Sequence, residues 1–140
     1  MLDRNEFQRW YDMAQYTLRS ATRDMEEGDY SWACFKAHQA AEFAAKAILR
    51  GLGTPAYGHS VYRLLETISN LNIEVPDELI ALARTLDQYY IPTRYPNAWT
   101  EGSPYEYYTY ENARQAIEYC SRILSWVNET WSALSREENN

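Results

Sequence analysis

YSWACFKAHQAAEFAAKAILR, residues 30 to 50, decides what kind of fold this chain can adopt. Its seven alanines give high helix propensity, no Gly or Pro interrupts it, and strand-period alternation is absent. Small side chains along so much of the segment allow neighbouring helices to come close. The stretch therefore reads as a largely buried helix.

The flanking segments supply its neighbours. Residues 3 to 27 carry Phe7, Trp10, Ala14, Thr17, Leu18, Ala21 and Met25 at three- and four-residue steps, a first amphipathic helix ended by Gly28. Asp29 is placed to cap the Ala-rich helix. GLGTPAYGH then breaks it, and SVYRLLETISNL resumes a short helix through Val61, Leu64, Leu65 and Ile68. Pro76 and Asp77 open DELIALARTLDQYY, with Leu79, Leu82, Ala83, Leu86 and Tyr90 on one face, until Pro92 stops it. Thr109 caps a long last helix in which Ala113, Ile117, Cys120, Leu124, Val127, Trp131 and Leu134 recur. The expected fold is all-α, an antiparallel bundle of about five helices in a single domain, 1–140, with a polar tail SREENN over 135–140.

A chain of 140 residues has enough length to bury roughly 70% of its unfolded surface, so its core needs no staples. Cys34 and Cys120 stand alone in apolar segments, as buried small hydrophobes do, rather than as a disulfide framework. MLDRNEFQRW has no apolar run of signal-peptide length, and no segment reaches the roughly 20 apolar residues of a membrane span. A reducing, cytoplasmic setting with no membrane association is expected. The net charge of −7 disfavours a broad RNA- or DNA-binding face, because that affinity comes from Lys and Arg neutralising phosphates. A small Arg-lined pocket remains compatible with it.

Two places could carry chemistry. His38, Glu42 and Lys46 follow one another at four-residue steps, which stacks them on one polar stripe of the Ala-rich helix beside Phe35 and Leu49. The stripe is either an ion-pair row on an exposed face, with His38 joining Glu42 and Lys46, or a base, an acid and a cation lining a cleft. His59, between Gly58 and Ser60, reads as a helix-entry residue. Two distant histidines without a thiol cluster make no zinc site, and GLGT lacks the sequence of a phosphate loop, so neither metal nor cofactor is expected.

The second place is the stretch from Pro92 to Tyr108, longer than the roughly 12 to 15 residues beyond which loops in compact domains tend to be functional or disordered. Its many aromatics argue for order. Arg94, the only cation between Arg84 and Arg114, stands beside Tyr95, with Trp99 and Tyr105 nearby and Tyr90 just before it. An Arg fork among aromatic faces can grip a phosphate, while the rings can stack on a base or anchor a partner subunit.

AHQAAEFAAKAIL, GHSVYRLLE, LDQYYIPTRYPNAW and SPYEYYTYENA, in this order, resemble the HEPN (higher eukaryote and prokaryote nucleotide-binding) domains over nearly the whole chain. The resemblance implies a helical bundle that forms a homodimer and works beside a minimal nucleotidyltransferase in a toxin-antitoxin-like module. Many HEPN proteins are endoribonucleases that use an Arg followed a few residues later by a His, two such motifs meeting in the dimer. Here Arg94 matches the Arg, but the positions for the His hold Trp99, Thr100 and Glu101. The resemblance also marks Tyr105, Tyr107 and Tyr108 as candidate acceptors of nucleotidyl transfer.

The function expected from residues and resemblance together is a non-catalytic HEPN nucleotide-binding or accessory protein. Its ligand-binding candidates are Arg94, Tyr95, Trp99, Tyr105 and Tyr90, with His38, Glu42 and Lys46 from the stripe, and no catalytic residue is assigned. The alternatives are a divergent metal-independent ribonuclease combining Arg94 with Glu101 or His38 in the dimer, and a purely structural dimerisation module.

Overall fold

Alanine sets the spacing of this bundle. A computed structural model describes all 140 residues as α1 (Arg4–Glu26), α2 (Tyr30–Gly51), α3 (Val61–Ser69), α4 (Asp77–Asp87) and α5 (Tyr110–Asn139), with single 3-10 turns at Pro96–Ala98 and Pro104–Glu106. There is no strand, and no helix is long and apolar enough to cross a membrane. α2 packs against each of the other four helices, and all seven of its alanines are fully buried. The absence of bulk on those faces lets four neighbours reach one helix.

α1 and α2 form an antiparallel hairpin, which Lys36 reaching Ser20 at one end and the Asp3 amide bonding the Gly51 carbonyl at the other make plain. Gly28 makes the reversal with φ +85°, a conformation an L side chain resists. Asp29 occupies the cap position as expected, but its side chain makes no cap hydrogen bond. Ser60 and Thr109 do cap, accepting from the amides of Arg63 and Asn112 at 3.1 and 3.2 Å. α1 buries Phe7, Tyr11, Ala14, Thr17 and Ala21, so Tyr11 belongs to the core while Trp10, Leu18 and Met25 lie only partly within it.

Three sequence expectations are corrected. α4 ends at Asp87 instead of running to Tyr90, so Tyr90 leaves the core face of α4 and joins a turn. Pro92 disfavours helical geometry at Ile91, and Asp87 is engaged by another helix. Gly51 ends α2 from within rather than opening the breaker: a Cβ there would stand 2.5 Å from the Trp131 ring, which stacks on Phe7 at 4.2 Å. The segment SREENN is helical through Asn139, and Glu138 accepts from the Leu2 amide at 2.6 Å and pairs with Arg4 at 3.1 Å. α5 thus ends against the start of α1.

Candidate functional site

Phe35, His38 and Glu42 rise along successive turns of α2, and the chain leaving α4 crosses over them. Residues 89 to 95 fold into a tight turn in which the Thr93 hydroxyl donates to the Tyr89 carbonyl at 2.6 Å and the Arg94 amide to the Ile91 carbonyl at 3.1 Å. Thr93 is buried, which pins the turn. Tyr90 is thereby laid across α2, its ring 5.2 Å from that of His38 and 6.1 Å from that of Phe35.

Arg94 is held from three sides by rings and from one by backbone. Its guanidinium carbon lies 4.1 Å from the Phe35 ring centroid, 4.7 Å from that of Tyr90 and 4.8 Å from that of Tyr95. Nε and Nη2 both donate to the Tyr90 carbonyl, at 2.9 and 2.7 Å. The remaining contact, Nη1 to the Tyr95 hydroxyl, is long at 3.5 Å. None of the ion pairs of the fold involves Arg94. The guanidinium is therefore half-buried and held in place by rings and backbone, with no carboxylate of the chain paired to it.

The polar stripe is neither an exposed ion-pair row nor a solvent-lined cleft. His38 is completely buried, and the carboxylate of Glu42 is 4% exposed. Glu42 pairs with Lys46 at 3.0 Å as the spacing predicts, but His38 turns away from both and bonds Asp87 through Nε2 at 3.0 Å. The second partner of Glu42 is His59, whose Nδ1 lies 3.3 Å from its oxygens. His59 does stand at the entry of α3, as expected, yet its ring also stacks on Tyr90 at 4.9 Å and 16°.

Asp87 is the hub the sequence did not advertise. Its carboxylate accepts from His38, from the Ser60 hydroxyl at 2.7 Å, and from the Val61 and Tyr62 amides at 2.8 and 3.2 Å. One side chain at the end of α4 thus caps α3 and clamps α2. Burial pushes the Asp87 carboxyl up, but the hydrogen bonds from His38, Ser60, Val61 and Tyr62 outweigh it and hold the group below the ordinary carboxylate value. Because an ionised carboxylate only accepts, the proton of His38 sits on Nε2, leaving Nδ1 buried without a partner.

Trp99 and Tyr105 do not join the rings around Arg94. Trp99 stacks on Tyr107 at 4.0 Å and 8°, and its Nε1 donates to the Pro92 carbonyl at 2.8 Å. Tyr105 is 74% exposed. Tyr107 donates its hydroxyl to the Glu101 carbonyl, and burial, reinforced by Cys34 and Tyr89, pushes the Tyr108 hydroxyl up to about 12. Thr100 and Glu101 are exposed at the tip of the excursion. No group of acidic, His and Cys side chains has the arrangement of a metal site.

The model of the HEPN domain matches residues 7–130. The chain belongs to the HEPN domain family. No curated protein matches it, but solved structures do. TT1696 from Thermus thermophilus is 40% identical with TM-score 0.87, the match covering 90% of this chain and 98% of that one. ST0689, an archaeal HEPN homologue, is 36% identical with TM-score 0.75 over 88% and 95% of the two chains. A HEPN domain protein of Thermotoga maritima, TM0613, is 34% identical with TM-score 0.72 over 89% and 98%. The HEPN fold expected from the sequence is thereby shown, and this HEPN chain carries Trp99, Thr100 and Glu101 where the ribonuclease motif would place its His.

Of the candidates read from the sequence, Arg94, Tyr90, Tyr95 and His38 come together, and Glu42 and Lys46 reach the same cluster through His59. Phe35, His59 and Asp87 complete it. The signal for His59 was only a His at a helix entry; Asp87 had none, since an Asp in the last turn of a helix reads as solvated.

Proposed function

We propose that this HEPN protein is a non-catalytic, dimeric accessory protein that binds a phosphate-bearing ligand, a nucleotide, through Arg94, and acts beside a minimal nucleotidyltransferase. The observation that carries the ligand reading is the guanidinium of Arg94, oriented by the Tyr90 carbonyl and three rings with no carboxylate to neutralise it. With Nε and Nη2 donating to the Tyr90 carbonyl, the Nη1–Nη2 edge is the one that can meet phosphate oxygens by charge-assisted hydrogen bonds. The exposed Trp32, Ile91 and Tyr95 around it suit a second copy of the chain as partner.

Calorimetric titration with ATP and GTP tests the reading, with Arg94→Gln expected to weaken binding by about tenfold or more. Light scattering tests the dimer, and co-purification tests the nucleotidyltransferase. A parent protein that binds neither nucleotide nor nucleotidyltransferase refutes the proposal, and a persistent monomer at high micromolar concentration refutes the dimer.

A second reading, a divergent metal-independent ribonuclease, is favoured by the Glu42–His59 pair. The buried carboxylate holds Nδ1 of the half-exposed imidazole and leaves Nε2 free, as an oriented base requires. His38 is too deeply buried for that role. Cleavage of RNA by the parent but not by His59→Asn supports this reading, and intact RNA refutes it.

A further inference from the structure

An open cleft lies along the excursion after α4 and shares Tyr90 and Asp87 with the Arg94 cluster. Its volume is about 680 Å³, inside the range of roughly 300–1,000 Å³ typical of small-ligand sites. Trp99, Tyr107, Tyr89 and Tyr90 line it, together with Gln88, Asn112 and Asp87. The rings are fixed before any ligand arrives: Trp99 is tied to the Pro92 carbonyl, Tyr107 to that of Glu101, and the two stack on each other. The Gln88 carboxamide makes no hydrogen bond within the chain, and Asn112 commits only its oxygen, to Thr109. Tyr90 is shared, lining the cleft while lying against Arg94.

We propose that this cleft is a base subsite, taking the adenine ring of a nucleotide whose phosphate is held by Arg94. The inference rests on the reading of Arg94 as a phosphate site and adds the part of the ligand that gives selectivity. Three features point to a nucleotide. Immobile aromatic faces favour a planar ring, because stacking on them costs little ordering. Arg94, a cation with no carboxylate partner, lies against Tyr90, which also lines the cleft, and this neighbourhood suits a ligand with an anion on one side and an aromatic ring on the other. A free carboxamide is the complement of the N6 and N7 edge of adenine, which it pairs in bidentate fashion, and Gln88 supplies one.

The test compares AMP, ribose 5-phosphate and GMP as calorimetric titrants of the full chain. AMP is expected to bind about tenfold or more tightly than ribose 5-phosphate, the difference being the stacked base. In Trp99→Leu, AMP falls to the affinity of ribose 5-phosphate. Gln88 is exposed, so Gln88→Ala keeps the fold and lowers the preference for AMP over GMP even if the Trp99 variant is unstable. Equal binding of AMP and ribose 5-phosphate by the parent overturns the base subsite and leaves the Arg94 phosphate site standing. Binding of neither overturns both. A preference for GMP that survives Gln88→Ala overturns the adenine assignment.

Discussion

Removing the Asp87 carboxylate tests how the site is held together. Asp87→Ala takes away the acceptor for two amides of the first turn of α3, a loss worth about 0.5–2 kcal/mol for a helix cap. It also strands the Nε2–H of the fully buried His38, an unsatisfied group that costs about 1–3 kcal/mol. Because the carboxylate is only 22% exposed, solvent replaces little of this, and the expected loss at pH 7 is about 3 kcal/mol, within the range for breaking a buried, hydrogen-bonded charge. Urea unfolding should show it as a lower midpoint at unchanged slope.

The pH dependence separates charge from packing. The Asp87 carboxyl is held below its ordinary value in the fold, so the unfolded chain binds its proton more readily. Its contribution is complete above the unfolded pKa of about 4 and disappears as pH falls through the lower folded value. The stability gap between parent and variant should therefore be constant near neutrality and narrow in acid. A gap under about 1 kcal/mol at pH 7, or one that does not change down to pH 2, would refute the clamp as the link between α2, α3 and α4.

Two further outcomes follow from the packing. Gly51→Ala drives a Cβ into the Trp131 ring and should destabilise the fold by about 1–3 kcal/mol in the same urea assay, whereas an ordinary Gly-to-Ala change in a helix would stabilise it; a gain refutes the contact. Cys34 is buried, and burial pushes its thiol up to about 12, so it should resist disulfide reagents at neutral pH until the chain unfolds. Rapid labelling of Cys34 in the native protein, followed with Cys120→Ala as background, would contradict its place in the core.

The sequence by itself determined the helical architecture. Alanine at seven positions of α2, apolar residues at three- and four-residue steps elsewhere, and Pro or Gly between them leave only a helical bundle, since these are local properties of backbone and side-chain period. It also located the turn holding Arg94, because a proline-bounded run of aromatics cannot continue a helix. Only the tertiary structure decided what surrounds that Arg. Ion-pair rules for one helix predict that His38 turns to Glu42, and on an isolated helix it would; here the end of α4 brings Asp87 closer, and a carboxylate with four donors captures the imidazole. Glu42 then meets His59, and Trp99 meets Tyr107 rather than Arg94. Partners far apart in sequence are chosen by which elements the core brings into contact, and no spacing along the chain encodes that choice.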